Sequence, residues 1–475
     1  MLVRMLPGSA FSRSRLAQFN PTSMTELDSG LADEIGCGLS EMGPPKNPLS
    51  EDSRYKGAAN VGITKPTGRQ LLTRDSMGFT EYYSPDYVTA RDRFLAAAKD
   101  LRATVQSHAF QAKGPNNESL TMDVAMLGDP EPEHVVIISS GLHGVEGFFG
   151  SAIQLAWLLT RGEGRSLPPR TRLVMAHALN PFGFAWRRRS NENNVDLNRN
   201  FLDDPSFVQT DPSYKGSRAA YERLASFLNP ASRPSRWEPY RIKTALRILS
   251  VGYDARRRAQ EQGKSVPHRS ALKAILGLGL LELHKSLPVG QYEHPTGLFY
   301  GGARPEETVR VVRDCLPSWV GGAGEVAHVD LHSGLGKHAE YRLLLADEKG
   351  SETERWAAEW FGAGVVEAWD ARTDYNARGL MAKDLRDRFP HTRYHYLTAE
   401  FGTYPGVRVL GALRAENRAQ FFDRPGTNSH RWAKRQVMEA FCPSASRWRN
   451  EVVRSGLTII DRAVASCGGD ISPSL

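Results

Sequence analysis

The stretch GLHGVEGFFG, residues 141–150, sets His143 and Glu146 three positions apart among glycines. Imidazole and carboxylate are both ordinary zinc ligands, binding at about 2.0–2.2 Å. By itself HxxE reads equally well as a turn into a helix whose first-turn glutamate complements the macrodipole. A metal site needs a third ligand and, for hydrolysis, a carboxylate base, both from elsewhere in the chain. In VAHVDLHSGLG, residues 326–336, strand periodicity puts His328, Asp330 and His332 on one face and Val329 and Leu331 on the other. His332 falls at the strand end, before a Ser-Gly turn, where a third ligand belongs. His328 lies deeper and reads as a packed histidine; His177, near the end of RLVMAHAL, is the other competitor. Glu400, in YLTAEFGTYPG, ends an apolar strand pattern, a costly place for a carboxylate without a partner.

The polar stretch WRRRSNENNVDLNRNF, residues 186–201, is dense in arginine and asparagine. Arg187 and Arg199 have the chemistry to stabilise an oxyanion or grip a carboxylate bidentately; the plainer reading is a salt-bridged loop. Asp196 is placed to accept a hydrogen bond from a ligating histidine and fix its tautomer. In DYNARG, Tyr375 sits in a loop ahead of the strand that carries Glu400.

Short continuous apolar runs predict buried strands at 134–139, 172–179, 326–331, 341–346 and 396–401. Helical patterns at 146–160, 354–369, 406–422 and 446–466 alternate with them, which predicts an α/β fold with a mixed, largely parallel central sheet flanked by helices. Ordered structure is expected from about Met77, opening with a capped helix in residues 84–103 whose apolar positions include Val88, Phe94, Leu95 and Ala98. Residues 1–76 read as a disordered extension, and 77–475 as one hydrolase domain. A basic, helical insertion at about 205–295 interrupts the alternation, with Ile242, Leu246, Leu249 and Tyr253 on one helical face.

The 475 residues carry a net charge of +8 with both signs interspersed. No basic stripe is interleaved with aromatics, so no nucleic-acid partner is expected. No apolar run is long enough to span a bilayer, so no membrane partner is expected either. Cys37, Cys315, Cys442 and Cys467 are far apart and form no CxxC pair, which fits a reducing compartment, the cytoplasm, better than a disulfide framework. The first 25 residues contain arginine and serine but no acid, a composition like that of a transit peptide; a disordered extension is the preferred reading.

Taken in order, His143-x-x-Glu146, NPFG with WR and VDLNRNF, the remote His332, YNARG and Glu400 resemble the pattern of the zinc carboxypeptidases. More narrowly, GLHGVEG, DLHSGLG, GLFYGG (297–302 with its glycine) and EFGTYPGVRVLGALRAEN look like a branch catalogued as a domain of unknown function. The resemblance runs from about Met77 to the C-terminus and implies a carboxypeptidase-like (phosphorylase/hydrolase-like) fold. It implies one Zn2+ held by His143, Glu146 and His332, with Asp196 behind His143. It further implies Glu400 as general base, Arg187 at the scissile carbonyl, Asn198 and Arg199 on the substrate's terminal carboxylate, and Tyr375 closing over that end. The expected substrate is a peptide or an N-acyl amino acid with a free carboxylate. The leading expectation is a carboxypeptidase. The alternatives are a small-molecule deacylase of the succinylglutamate desuccinylase and aspartoacylase kind, and a non-catalytic binding module. Oligomeric state is not legible.

Overall fold

Four strands buried along nearly their whole length carry the centre of the molecule. A computed structural model describes residues 78–160, 167–205, 208, 210, 211, 215–235, 289–369 and 377–468. The strands are β1 (Thr104–Lys113), β2 (Ser119–Gly128), β3 (His134–Ser140), β4 (Thr171–His177), β5 (Glu325–Gly334), β6 (Tyr341–Glu348), β7 (Val366–Trp369) and β8 (Arg393–Gly402). They form one sheet in the order β1-β2-β4-β3-β5-β8-β6-β7. The central β4, β3, β5 and β8 are parallel, β1, β2 and β6 pair antiparallel to their inner neighbours, and β7 runs parallel to β6. The mixed, largely parallel sheet expected from sequence is the one observed. Its central strands are the continuous apolar runs: Val135, Val136, Ile137 and Ile138 are all fully buried, as strands covered on both faces must be.

The helices are α1 (Tyr87–Asp100), α2 (Gly147–Thr160), α3 (Pro181–Ala185), α4 (Lys215–Leu228), α5 (Glu307–Val320), α6 (Glu352–Phe361), α7 (Met381–Asp387), α8 (Gly406–Phe422), α9 (Asn428–Phe441) and α10 (Ser446–Ala465). α2 packs between α1 and α10, α5 lies on β3, and α7 lies on β8. Asp86 caps α1 by accepting from the Thr89 amide at 2.8 Å, a bond that typically contributes about 1 kcal/mol. The buried face of α1 is Tyr87, Ala90, Phe94, Ala97 and Ala98, whereas Val88 is exposed. The expected face was therefore rotated: the 3,4 spacing counts from Tyr87, not from Val88. Trp448 of α10 is fully buried and donates its indole N–H to the Gly402 carbonyl at the end of β8 at 2.8 Å, which satisfies the one polar atom that such burial would strand.

Two sequence expectations change. The helix predicted over 354–369 stops at Gly362, whose φ is +89°, and Val366–Trp369 becomes strand β7 against β6. A positive φ suits glycine and breaks the helical run. The hairpin of β1 and β2 was not read from sequence, because β1 buries only Phe110 and Asp123 interrupts the apolar run of β2. Residues 1–77, residues 236–288 with Ile242, Leu246, Leu249 and Tyr253, and Tyr375 lie outside the described residues. Among the described residues, no helix is long and apolar enough to cross a membrane.

Candidate metal centre

The turn after β3 is built by close backbone contact. Gly141 has φ +73°, and a Cβ on Gly144 would lie 2.1 Å from the Gly183 carbonyl carbon. The chain then makes one 3-10 turn, Gly144–Glu146, and enters α2 at Gly147. His143 and Glu146 flank this turn, 5% and 1% exposed. His143 Nδ1 lies 3.0 Å from Glu146 Oε1, and His143 Nε2 lies 3.2 Å from Asp196 Oδ1.

The arginine loop is laced to that turn. The amides of Gly144 and Val145 donate to the carbonyls of Arg189 and Arg188, at 3.1 and 2.7 Å. Upstream, Asn180 caps the short helix α3 by accepting from the Gly183 amide, with Pro181 in its first turn. Arg187 then takes a left-handed φ of +54°, and its Nη2 donates to the Pro85 carbonyl at 3.3 Å, at the start of α1. Arg189, two residues on, is the arginine beside the ligand turn. Its Nε donates to Asp196 Oδ2 at 3.1 Å, its Nη1 lies 3.5 Å from Glu146 Oε1, and its Nη2 lies 2.8 Å from His143 Nε2. Arg188 points the other way: its guanidinium reaches Glu416 and Asn194, both at 2.8 Å, while Lys434 reaches the same Glu416 oxygen at 2.7 Å. The loop's asparagines are largely structural, since Asn194 and Asn191 bind Pro295, Gly297 and Glu306.

His332 arrives from the end of β5, beside β3. Its Nδ1 lies 3.1 Å from His143 Nδ1 and 3.3 Å from Glu146 Oε2, and its Nε2 lies 2.5 Å from Asp330 Oδ2. The ligand-capable atoms of His143, Glu146 and His332 all lie within 4.8 Å of one another. Glu400 is the register partner of His332 on β8, and its Oε1 accepts from the Leu335 amide at 2.9 Å. Asn198 Oδ1 accepts from the Met381 amide at 3.1 Å, and Phe201 N donates to the Gly379 carbonyl. The segment that follows residues 370–376 is thus fastened beside Asn198 and Arg199. His328 and His177 are elsewhere: both are buried, bonded to Ser139 and Ser151 respectively.

The electrostatics of the metal-free cluster follow from burial and neighbours. Burial alone raises Glu146, but the charges and hydrogen bonds of His143 and His332 bring it down to about 2. Burial opposes a charged His332, yet Asp330 and Glu146 hold it well above the usual histidine range. Asp196 is likewise raised by burial and carried well below the carboxylate range by Arg189 and His143. Glu400 goes the other way, to about 7: burial first, then the charge of Glu146, outweigh the opposing His332 and Leu335 N–H. Two carboxylates in one cluster are pushed apart, one held ionised and one poised to exchange a proton near neutrality.

The donor set fits a zinc-like cation, with two imidazole nitrogens and a carboxylate converging and the outer imidazole nitrogens held by Asp196 and Asp330. Of the three consecutive arginines, Arg189 lies beside the ligand turn and Arg187, expected from sequence at the scissile carbonyl, lies against Pro85; an irregular loop carries no periodicity that separates them. Sequence reasoning also left Asp330 unassigned, although the shared strand face of Asp330 and His332 was the available signal.

A family model described as "Protein of unknown function (DUF2817)" matches residues 83–266 and 258–455. No curated protein matches the chain. Among solved structures, the chain is similar to bovine thrombin-activatable fibrinolysis inhibitor, with 12% identity and a TM-score of 0.44 over 82% of this chain and 100% of that one. It is similar to carboxypeptidase A from Helicoverpa armigera, with 13% identity and a TM-score of 0.39 over 78% and 77%. It is also similar to a metallo-carboxypeptidase from Burkholderia cenocepacia, with 14% identity and a TM-score of 0.34 over 78% and 68%. The chain belongs to the DUF2817 family.

Proposed function

We propose that this DUF2817 member is a single-zinc hydrolase that cleaves an amide bond next to a free carboxylate, as a carboxypeptidase does. The observation that carries the reading is the convergence of His143 Nδ1, Glu146 and His332 Nδ1 beside Glu400. His143, Glu146 and His332 would hold the ion, which when bound supplies Lewis acidity and makes water acidic enough to attack near neutral pH. Glu400, the register partner of His332 on the neighbouring strand, takes the proton from the attacking water and returns it to the leaving nitrogen. Arg189 opposes the negative charge that develops on the carbonyl oxygen; its ion pair with Asp196 fixes the guanidinium before substrate arrives. Asn198 and Arg199 hold the substrate's terminal carboxylate, with Tyr375 closing over that end. Asp196, 3.2 Å from His143 Nε2 and paired with Arg189, holds the outer edge of the imidazole so that Nδ1 faces the ligand position.

Metal analysis of the purified protein, paired with hydrolysis of C-terminally free peptides and N-acyl amino acids, tests the reading. Stoichiometric zinc with release of a C-terminal residue is expected. Turnover of N-acyl amino acids alone would move the assignment to a deacylase. Absence of both metal and hydrolysis would make the fold a binding module.

A further inference from the structure

Behind His332 the sheet carries a row of polar side chains where apolar ones would be usual. On one face of three adjacent strands lie Ser139 of β3, His328, Asp330 and His332 of β5, and Tyr394 and Tyr396 of β8. The registers put Ser139 beside Asp330 and His328 beside Tyr396. All six are buried. Buried polar atoms at this density persist only when each has a partner, and here the partners fix a direction.

The direction follows from counting protons. Asp330 meets the Ser139 hydroxyl on one oxygen and the Tyr396 hydroxyl and the His332 imidazole on the other, so both of its oxygens face donors, as those of a carboxylate do. It is therefore an acceptor only. Ser139 Oγ lies 2.6 Å from Asp330 Oδ1, so its single proton goes there. The same Oγ lies 2.8 Å from His328 Nε2, and having spent its proton it must accept, which makes His328 the Nε2–H tautomer. Burial keeps His328 neutral down to about pH 4, against the opposing pull of Asp330. Its Nδ1 is then a lone pair, 2.9 Å from the Tyr394 hydroxyl, which must donate. On the other carboxylate oxygen, Tyr396 donates at 3.0 Å and His332 Nε2–H at 2.5 Å.

We propose that Tyr394, His328, Ser139 and Tyr396 are positioning residues that form a one-directional chain of donors pinning Asp330, and through it present the Nδ1 edge of His332 to the metal position. None of the four touches the position that a metal or substrate would occupy; they act on the orientation of one ligand. The inference rests on the metal-site reading for its consequence, but not for its hydrogen-bond directions.

Two measurements test it separately. In protein labelled with 15N-histidine, long-range nitrogen–proton spectra should show His328 as the Nε2–H tautomer. In Asp330→Asn the carbonyl must face the two donors Tyr396 and His332, so its NH2 faces Ser139; the chain then reverses, and His328 becomes Nδ1–H. A His328 that starts as Nδ1–H, or that keeps its tautomer in Asp330→Asn, overturns the chain.

The second measurement is zinc affinity by chelator competition in the full-length protein, alongside the unfolding midpoint of the metal-free form. Ser139→Ala and Tyr396→Phe should each weaken zinc binding about 3- to 10-fold, somewhat below the roughly 10- to 100-fold usual for removing the direct partner of a ligand, here Asp330. Tyr394→Phe, two bonds further from Asp330, should weaken it less. Losses of metal-free stability with unchanged zinc affinity would reduce these residues to a structural role and overturn the proposal. If wild-type protein takes up no zinc, the metal-site reading fails, and the tautomer result alone supports or overturns the chain.

Discussion

Two buried clusters on the same sheet contain a carboxylate, an arginine and a histidine, yet only one is a candidate centre. At the β1–β2–β4 side, Asp123 is fully buried and accepts from Arg91 Nε at 2.8 Å, Arg91 Nη2 at 3.2 Å, Ser107 at 2.5 Å and Thr121 at 2.9 Å. Its register partner His177 binds Ser151 and stacks on Phe94 at 4.5 Å. Every oxygen of Asp123 is met by a proton that the protein supplies. At the ends of β3 and β5, by contrast, the ligand-capable atoms of His143, Glu146 and His332 converge from separate elements to within 4.8 Å of one another. The residue types are alike; the difference lies in whether ligand-capable atoms of several side chains meet at one point. Two imidazoles and a carboxylate that converge mark a candidate cation site, while a carboxylate with a protein donor on every oxygen is finished structure.

Substitutions in the two clusters should therefore fail in different ways. The largest effect is expected from Glu400→Gln, which should lower kcat by about 100- to 10,000-fold with zinc content unchanged; an active, zinc-replete variant would remove Glu400 from the chemistry. Arg189→Lys should cost roughly 100-fold or more in kcat/KM, whereas Arg187→Ala should stay within about threefold, since Arg187 reaches Pro85 instead. Equal losses at the two arginines would contradict the geometry.

In the finished cluster, Asp123→Ala should reduce stability by about 3 kcal/mol, the low end for a broken buried ion pair because Arg91 keeps some access to water. Denaturant unfolding measures that loss, and kcat per folded molecule should not change. Part of the acid sensitivity should come from the same region, alongside that of the buried His328. Burial lowers His177 to about 4, against Asp123's opposing charge, so the unfolded state binds the proton more tightly. Stability is then full above the unfolded value near 6.5 and falls as pH drops from there towards 4, by up to roughly 3 kcal/mol. His177→Gln should flatten that slope; an unchanged slope would place the sensitivity elsewhere.

What could be read from the chain depended on periodicity. The four parallel strands were visible because burial on both faces leaves unbroken apolar runs, and His332 and Glu400 stood out as polar residues ending such runs. β1 and β2 were hidden because half-exposed antiparallel strands tolerate Gln, Ser and Asp. β7 was hidden because four strand residues after Gly362 continue an amphipathic pattern. At the site, the choice between Arg187 and Arg189 depended on a left-handed residue and two backbone hydrogen bonds, none of which has a sequence period. The donor chain behind His332 was half legible: period two aligns His328, Asp330 and His332, but Ser139, Tyr394 and Tyr396 join them only through strand register.

The parallel pairing of β3 with β5 has a consequence for how the molecule assembles. His143 and His332 are 189 residues apart in sequence, so the ligand set is complete only once β3 and β5 have paired across that separation. Zinc that resists a chelator would then report that β5 has docked beside β3, making the ion a clock for that long-range step of folding.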